Sequence, residues 1–199
     1  ESTGEFASAT SADFASDARA AVNYLREREE LKNIPVGIIG HSEGGMIAPM
    51  VAAESGIVDF IVLLAGPGTP IDELLIAQSN LLAEVAGTPP AEVQNNEQLM
   101  RELYGYMQEN EAKDTEELRE EATEIIENGL NRFSEETKKE FGDLDEYAAN
   151  LATTVLSPWF RYFIAYNPAE YLKQVDCPVL ALNGELDLQV PAKANINAI

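Results

Sequence analysis

A serine between two glycines, in the stretch Gly40-His41-Ser42-Glu43-Gly44, has the setting that nucleophilic chemistry requires. The pattern G-x-S-x-G is that of a nucleophile elbow, a sharp turn from a strand into a helix that holds the serine hydroxyl clear of the backbone. We expect strained backbone angles at Ser42, and we expect side chains at positions 40 and 44 to collide with the neighbouring strand and helix. The helix N-terminus and the N–H of Glu43 would then stabilise negative charge on an attacked carbonyl oxygen.

The elements that such a turn needs are predicted on both sides of it. The apolar run at 36–39 is rich in β-branched residues and predicts a buried strand, and the stretch 46–53 predicts a helix. A second apolar run, at 58–64, predicts another buried strand. A helix is predicted over about 10–32, before the strand at 36–39. Helices that alternate with nearly all-apolar strands predict an α/β fold, with a parallel sheet flanked by helices that cover both faces.

The sequence at the elbow resembles the α/β-hydrolase superfamily, and most closely its lidded bacterial serine esterases and related acyl hydrolases. The resemblance implies that Ser42 is the nucleophile and that the backbone N–H of Glu43 is half of the oxyanion hole. It continues through a predicted strand at 177–182 into a turn that carries Asp187, and it implies that Asp187 is the acid of the catalytic triad. The serine precedes the acid in the chain, as it does in that family.

The activity that the resemblance implies is hydrolysis of carboxylic esters with small or medium acyl groups, through a Ser-Asp-His triad and an acyl-enzyme. The partner would be a small-molecule ester, with no cofactor and no metal. A peptidase or an acyltransferase of the same fold is an alternative, since the elbow serves any attack on an acyl carbon. A catalytically silent binding domain is a further alternative if the 199 residues are the whole protein.

The base of the triad has no obvious place in this sequence. The single histidine, His41, directly precedes Ser42, and side chains of adjacent residues in a tight elbow diverge. We therefore expect His41 to have a structural role, as we do for Gly40 and Gly44. In the resembled family the triad histidine follows the acid after one further strand. We expect it beyond residue 199, which would make the chain an internal fragment of a larger hydrolase that is inactive on its own.

The long stretch 69–167 has helix caps and apolar stripes at helical spacing but no strand pattern. Five or six helices exceed what a crossover between two strands needs. We therefore predict an all-helical cap, or lid, at 69–167, inserted between two sheet strands of a hydrolase core that is formed by 1–68 and 168–199 and is incomplete at both ends. The resemblance implies a lid at the same point of the fold.

Three aromatic residues near the end of that stretch, Trp159, Phe160 and Phe163, form part of a dense aromatic cluster. Such residues could pack between the cap and the sheet. They could equally form an apolar wall for the acyl or alcohol group of a substrate. The sequence leaves both interpretations open.

The charge and composition limit the partners of the protein. A net charge of −22 argues against nucleic acid and against anionic membrane surfaces. Residues 70–170 carry 22 of the 35 carboxylates but 7 of the 13 basic groups, which is typical of a solvated helical face. The sequence has no apolar run of about 18 residues that could span a membrane. Its one cysteine, Cys177, is expected to be buried and inert, while compartment and oligomeric state stay open.

Overall fold

Three parallel strands form the sheet of this mixed α/β protein, seen in a computed structural model that describes residues 3–199, with 54 and 55 described by their backbone only. The strands β1 (Gly37–His41), β2 (Phe60–Leu64) and β3 (Val179–Leu182) lie in the spatial order β1-β2-β3. Both neighbouring pairs run parallel. The predicted α/β class with a parallel sheet is therefore confirmed.

Ten α-helices lie in the described residues. They are α1 (Ser11–Glu27), α2 (Gly44–Ser55), α3 (Ile71–Val85), α4 (Pro90–Glu109), α5 (Thr115–Leu130), α6 (Glu135–Phe141), α7 (Leu144–Val155), α8 (Pro158–Ala165), α9 (Pro168–Leu172) and α10 (Ala192–Ala198). The helix predicted over 10–32 ends early, because Arg28 takes an extended backbone and a short 3-10 turn, Glu29–Leu31, follows it. No helix in this part of the chain has the length and apolarity needed to cross a bilayer.

The two faces of the sheet differ in how far they are covered. On one face, Ile61 and Leu63 of β2 are 1% and 0% exposed and share a buried cluster with Met46 of α2. On the other face, Ile39 and Leu180 are 68% and 52% exposed. The prediction that helices cover both faces is therefore wrong for the described residues. Apolar side chains alternate along each strand and point to both faces, but α2 packs against one of them, with α1 and α9 packed in turn on α2.

Helices α3 to α8 lie between β2 and β3 in the chain and surround an apolar cluster of their own, in which Leu103 and Leu118 are fully buried. The two ends of this helical segment meet, since the N–H of Ile71 donates a 3.3 Å hydrogen bond to the carbonyl of Tyr166. The hydroxyl of Tyr166 donates in turn to the carbonyl of Met46 at 3.2 Å. The base of the helical segment is thus tied to the helix that follows the elbow.

An ion pair fixes α1 against the strands. Arg26 of α1 donates to the carboxylate of Asp59 and to the carbonyl of Ile57. Asp59, just before β2, also accepts the N–H of Val36, just before β1, at 2.7 Å. The Val36 N–H and the Arg26 guanidinium hold the pKa of Asp59 below its usual value. The ionised carboxylate therefore stabilises the junction of α1, β1 and β2.

We expect Asp59→Asn to lower the Tm at pH 7 by more than it does at pH 3. A carboxylate with a lowered pKa in the folded state contributes stability above its unfolded pKa, here about 3.8, and loses that contribution as the pH falls. Thermal unfolding of the wild type and the variant at both pH values measures the difference. Asp17→Asn, which alters an exposed carboxylate of α1, is the matched control. An equal loss of Tm at both pH values would contradict the expectation.

Candidate active site

Ser42 lies in the turn between β1 and α2 with a φ of +53°, in the left-handed region that residues with side chains rarely adopt. Its N–H donates a 3.0 Å hydrogen bond to the carbonyl of Leu64 at the end of β2. Its carbonyl accepts from the N–H of Gly45 at 2.8 Å. These bonds tie the strained residue to the sheet on one side and to α2 on the other. The strained strand-to-helix turn predicted at Ser42 is therefore present.

Two glycines allow the chain to pack this closely around Ser42. A Cβ at Gly40 would overlap the carbonyl of Gly44, and a Cβ at Gly45 would lie 2.5 Å from the Cα of Gly66. A Cβ at Gly44 would meet no atom of the described residues within 4 Å. The predicted collision is confirmed for Gly40 and wrong for Gly44, because the glycine that packs against the loop after β2 is Gly45.

The groups needed for attack on a carbonyl are accessible at this turn. Ser42 is exposed, and its hydroxyl has no hydrogen-bond partner within the part of the chain that the structure describes. The N–H of Glu43, at the N-terminal end of α2, meets no acceptor among the same residues, so it can donate to an oxyanion. His41 is exposed at the end of β1, and the structural role expected for it stays a prediction.

Asp187 lies in the turn after β3, at the same edge of the sheet as Ser42, because both follow the carboxyl ends of parallel strands. One strand separates β1 from β3, which puts those two strands about 10 Å apart. The Oδ1 atom of Asp187 accepts the N–H groups of Gln189 and Val190 at 2.9 and 3.0 Å. These bonds fix the carboxylate, and Oδ2 is left without a donor among the described residues. An oriented carboxylate of this kind can accept a hydrogen bond from a histidine N–H.

The three aromatic residues singled out from the sequence divide between two environments. Trp159 and Phe163 stack on each other with ring centroids 4.8 Å apart. Phe163 also packs against the buried cluster that contains Ile61 and Met46. Phe160 packs instead in the cluster of the helical segment, with its ring 5.8 Å from that of Tyr104. The packing interpretation therefore holds for Phe163, which contacts the cluster of the sheet from the last helix of the helical segment, whereas Phe160 packs within the helical segment itself.

The side chain of Glu43 makes contacts that the sequence analysis missed. Its Oε1 atom accepts a 2.6 Å hydrogen bond from the hydroxyl of Ser11, which is fully buried at the start of α1. The same atom accepts a 2.8 Å hydrogen bond from Nε1 of Trp159. One carboxylate oxygen thus joins the elbow, α1 and α8. No local pattern signals such a bridge, since its partners are 32 and 116 residues away.

Asn195 of α10 holds the loop against which Gly45 packs. The side chain is fully buried, and its Oδ1 accepts the N–H groups of Gly68 and Thr69 at 2.8 and 3.2 Å. Its Nδ2 donates to the carbonyl of Pro191 at 3.0 Å. This residue was also missed from the sequence, because an asparagine in a short helix resembles a surface residue. It fixes the backbone that follows β2 beside the elbow.

We expect Asn195→Ala to lower the free energy of unfolding by about 1–3 kcal/mol, because the buried N–H of Gly68 and the partly buried N–H of Thr69 lose their acceptor. Asn197→Ala changes an exposed residue of the same helix and is the matched control, expected within about 0.5 kcal/mol of the wild type. Denaturant unfolding of both variants measures the difference. If the two variants are equally stable, Asn195 does not hold this loop.

The strain at Ser42 predicts an order of stability for two variants that both lack the hydroxyl. We expect Ser42→Gly to exceed Ser42→Ala in free energy of unfolding by about 1 kcal/mol, because glycine adopts a φ of +53° without the clash that a Cβ causes. Denaturant unfolding of the two variants measures the gap. An alanine variant as stable as the glycine variant would mean that the turn relaxes when the hydroxyl is removed.

A strained serine at a strand-to-helix turn, with a carboxylate after another parallel strand at the same edge of the sheet, is typical of acyl hydrolases of the α/β-hydrolase type. Residues 19–133 match the family model described as BAAT / Acyl-CoA thioester hydrolase C terminal. The match covers more than half of the chain and includes the elbow, so the chain belongs to this family. A comparison with curated proteins gave no match.

Proposed function

We propose that this chain supplies the nucleophile, one oxyanion donor, the acid and the lid of a serine hydrolase that cleaves carboxylic esters. The observation that carries the proposal is the left-handed φ of Ser42 in an exposed turn between a parallel strand and a helix N-terminus. Strain of about 1–3 kcal/mol at non-glycine residues clusters at active sites. The family supports hydrolysis of an ester or a thioester.

The reaction begins when Ser42 Oγ forms a bond to the acyl carbon and its proton passes to a histidine other than His41. The N–H of Glu43 donates to the carbonyl oxygen as that oxygen becomes negative. Collapse of the intermediate breaks the bond to the alcohol, which leaves with the proton from the histidine. Water then gives a proton to the histidine as it attacks the acyl carbon. The bond to Ser42 Oγ breaks, Oγ takes that proton back, and the carboxylic acid is released. In both steps Asp187 orients the histidine and stabilises its charged form.

The helical segment 69–167 is the proposed lid. Its two ends meet at the hydrogen bond between Ile71 and Tyr166, as the ends of an insertion into a sheet must. Its last helix, α8, reaches the elbow through Trp159 and packs Phe163 against the hydrolase core. These contacts support a position over the carboxyl edge of the sheet, where Trp159 and Phe163 would form an apolar wall for the acyl group.

The charge of the protein favours a neutral ester over a coenzyme A thioester. Coenzyme A carries several phosphate charges, and a chain with a net charge of −22 repels them. Several arginines are already paired with carboxylates, such as Arg101 with Glu73 and Arg132 with Glu102. We therefore assign the preferred substrates to uncharged esters with small or medium acyl groups.

The proposal is tested on the full-length protein with three substrates. Two of them, p-nitrophenyl butyrate and butyryl coenzyme A, share the butyryl group, and the third is an aminoacyl p-nitroanilide. We expect the ester to be the best substrate. Ser42→Ala should abolish its turnover, and Asp187→Asn should slow it by about 10⁴-fold, since a misoriented histidine is a poor base. Asp176→Asn, which changes an exposed acid before β3, is the matched control.

Each outcome of this experiment is informative. Turnover that survives in Ser42→Ala rejects the nucleophile, and turnover that survives in Asp187→Asn moves the acid to another residue. Preference for the anilide would indicate a peptidase. Preference for the thioester at low ionic strength would reject the charge argument, because repulsion of coenzyme A is strongest where salt does not screen it. No turnover of any substrate would favour a binding domain.

A further inference from the structure

The carboxylate of Glu43 has a role that the backbone N–H of the same residue does not explain. Its Oε1 accepts hydrogen bonds from Ser11 at 2.6 Å and from Trp159 at 2.8 Å. Ser11 is fully buried, and Trp159 is partly buried on α8. A carboxylate that accepts two hydrogen bonds from separate elements has a defined orientation, and hydrogen bonds to charged groups are about twice as strong as neutral ones.

This arrangement also answers an electrostatic problem at the elbow. An acidic side chain one residue after the nucleophile would oppose negative charge developing on a nearby carbonyl oxygen. Donation from Ser11 and Trp159 to Oε1 directs the carboxylate toward α1 and α8 and disperses its charge. A residue with an apolar side chain at this position would avoid the repulsion but would lose the connection between the elbow and α8.

We propose that the Glu43 carboxylate is a latch that holds α8 against the elbow and so positions the stacked pair Trp159–Phe163 beside Ser42. The ring centroids of that pair are 4.8 Å apart with an angle of 17° between the planes, so fixing one ring fixes the other. The side chain of Glu43 then acts as a positioning group for acyl-group selectivity, while its backbone N–H acts as an oxyanion donor. The selectivity part of this inference rests on the proposed esterase function, whereas the latch itself does not.

The latch is tested without catalysis by following the indole N–H of Trp159 in the full-length protein by NMR. The resonance is assigned by its loss in Trp159→Phe, which keeps an aromatic ring for stacking on Phe163. We expect the N–H to be protected from exchange with solvent in the wild type and to exchange at least about 10-fold faster in Glu43→Ala, the factor that 1.4 kcal/mol of lost hydrogen bonding produces. Glu43→Gln keeps an acceptor oxygen and should restore most of the protection.

Selectivity is tested by the ratio of kcat/KM for p-nitrophenyl hexanoate to that for p-nitrophenyl acetate. We expect this ratio to fall by about 10-fold in Glu43→Ala, as loss of a charged hydrogen bond predicts. Trp159→Phe should lower it similarly, and the double variant should show no further loss, because both changes break one interaction. Glu43→Gln should recover most of the ratio. Glu124→Ala, an exposed position on α5, is the matched control and should leave it unchanged.

The two measurements separate the two inferences. Unchanged exchange of the Trp159 N–H in Glu43→Ala overturns the latch, whatever the enzyme hydrolyses. Effects of Glu43→Ala and Trp159→Phe that multiply in the double variant overturn it as well, since independent sites behave in that way. Loss of protection in a protein that hydrolyses no ester supports the latch but rejects both the esterase proposal and the role in selectivity.

Discussion

The close approach of backbone segments around Ser42 is the constraint on which the rest of the structure depends. Gly40 lies against the carbonyl of Gly44, and Gly45 lies against Gly66, so neither position can carry a Cβ without displacing backbone. This packing, together with the bond from the serine N–H to Leu64, maintains a φ that costs about 1–2 kcal/mol. The strain is therefore offset by contacts between β1, β2 and α2 rather than within the turn itself.

The loop after β2 is part of the same arrangement. Ala65 has a φ of +48°, so a second residue with a side chain is strained where the second strand ends. Its N–H is bonded to the carbonyl of Leu182 on β3, and Gly68 is bonded to the buried side chain of Asn195. The carboxyl edge of the sheet is thus braced from both neighbouring strands and from α10. Support of this kind fixes the backbone on both sides of Ser42.

Features set by neighbouring residues were predictable from the sequence, and features set by distant contacts were not. The elbow, the flanking strand and helix, and the helical stretch follow from residue types at fixed spacing. One of the caps in that stretch is Asp114, whose Oδ1 accepts the N–H groups of Glu116 and Glu117 at the start of α5. The exposed face of the sheet was missed, and so was the close packing of Gly45 rather than Gly44. Both depend on which distant segment of the chain packs against these residues. The bridge from Glu43 to Trp159 was missed for the same reason.

The contacts of the helical segment with the helix that follows the elbow, and with the elbow itself, differ in how easily they can be released. Tyr166 is 5% exposed, and its hydroxyl bond to Met46 lies at the base of the segment, where both chain ends enter the core. The bond from Trp159 to Glu43 lies at the other end of α8, beside the exposed Ser42, and is partly buried. Water can replace the partly buried bond at a lower cost than the buried one. Of these two contacts, the one at Glu43 is therefore the less costly to break.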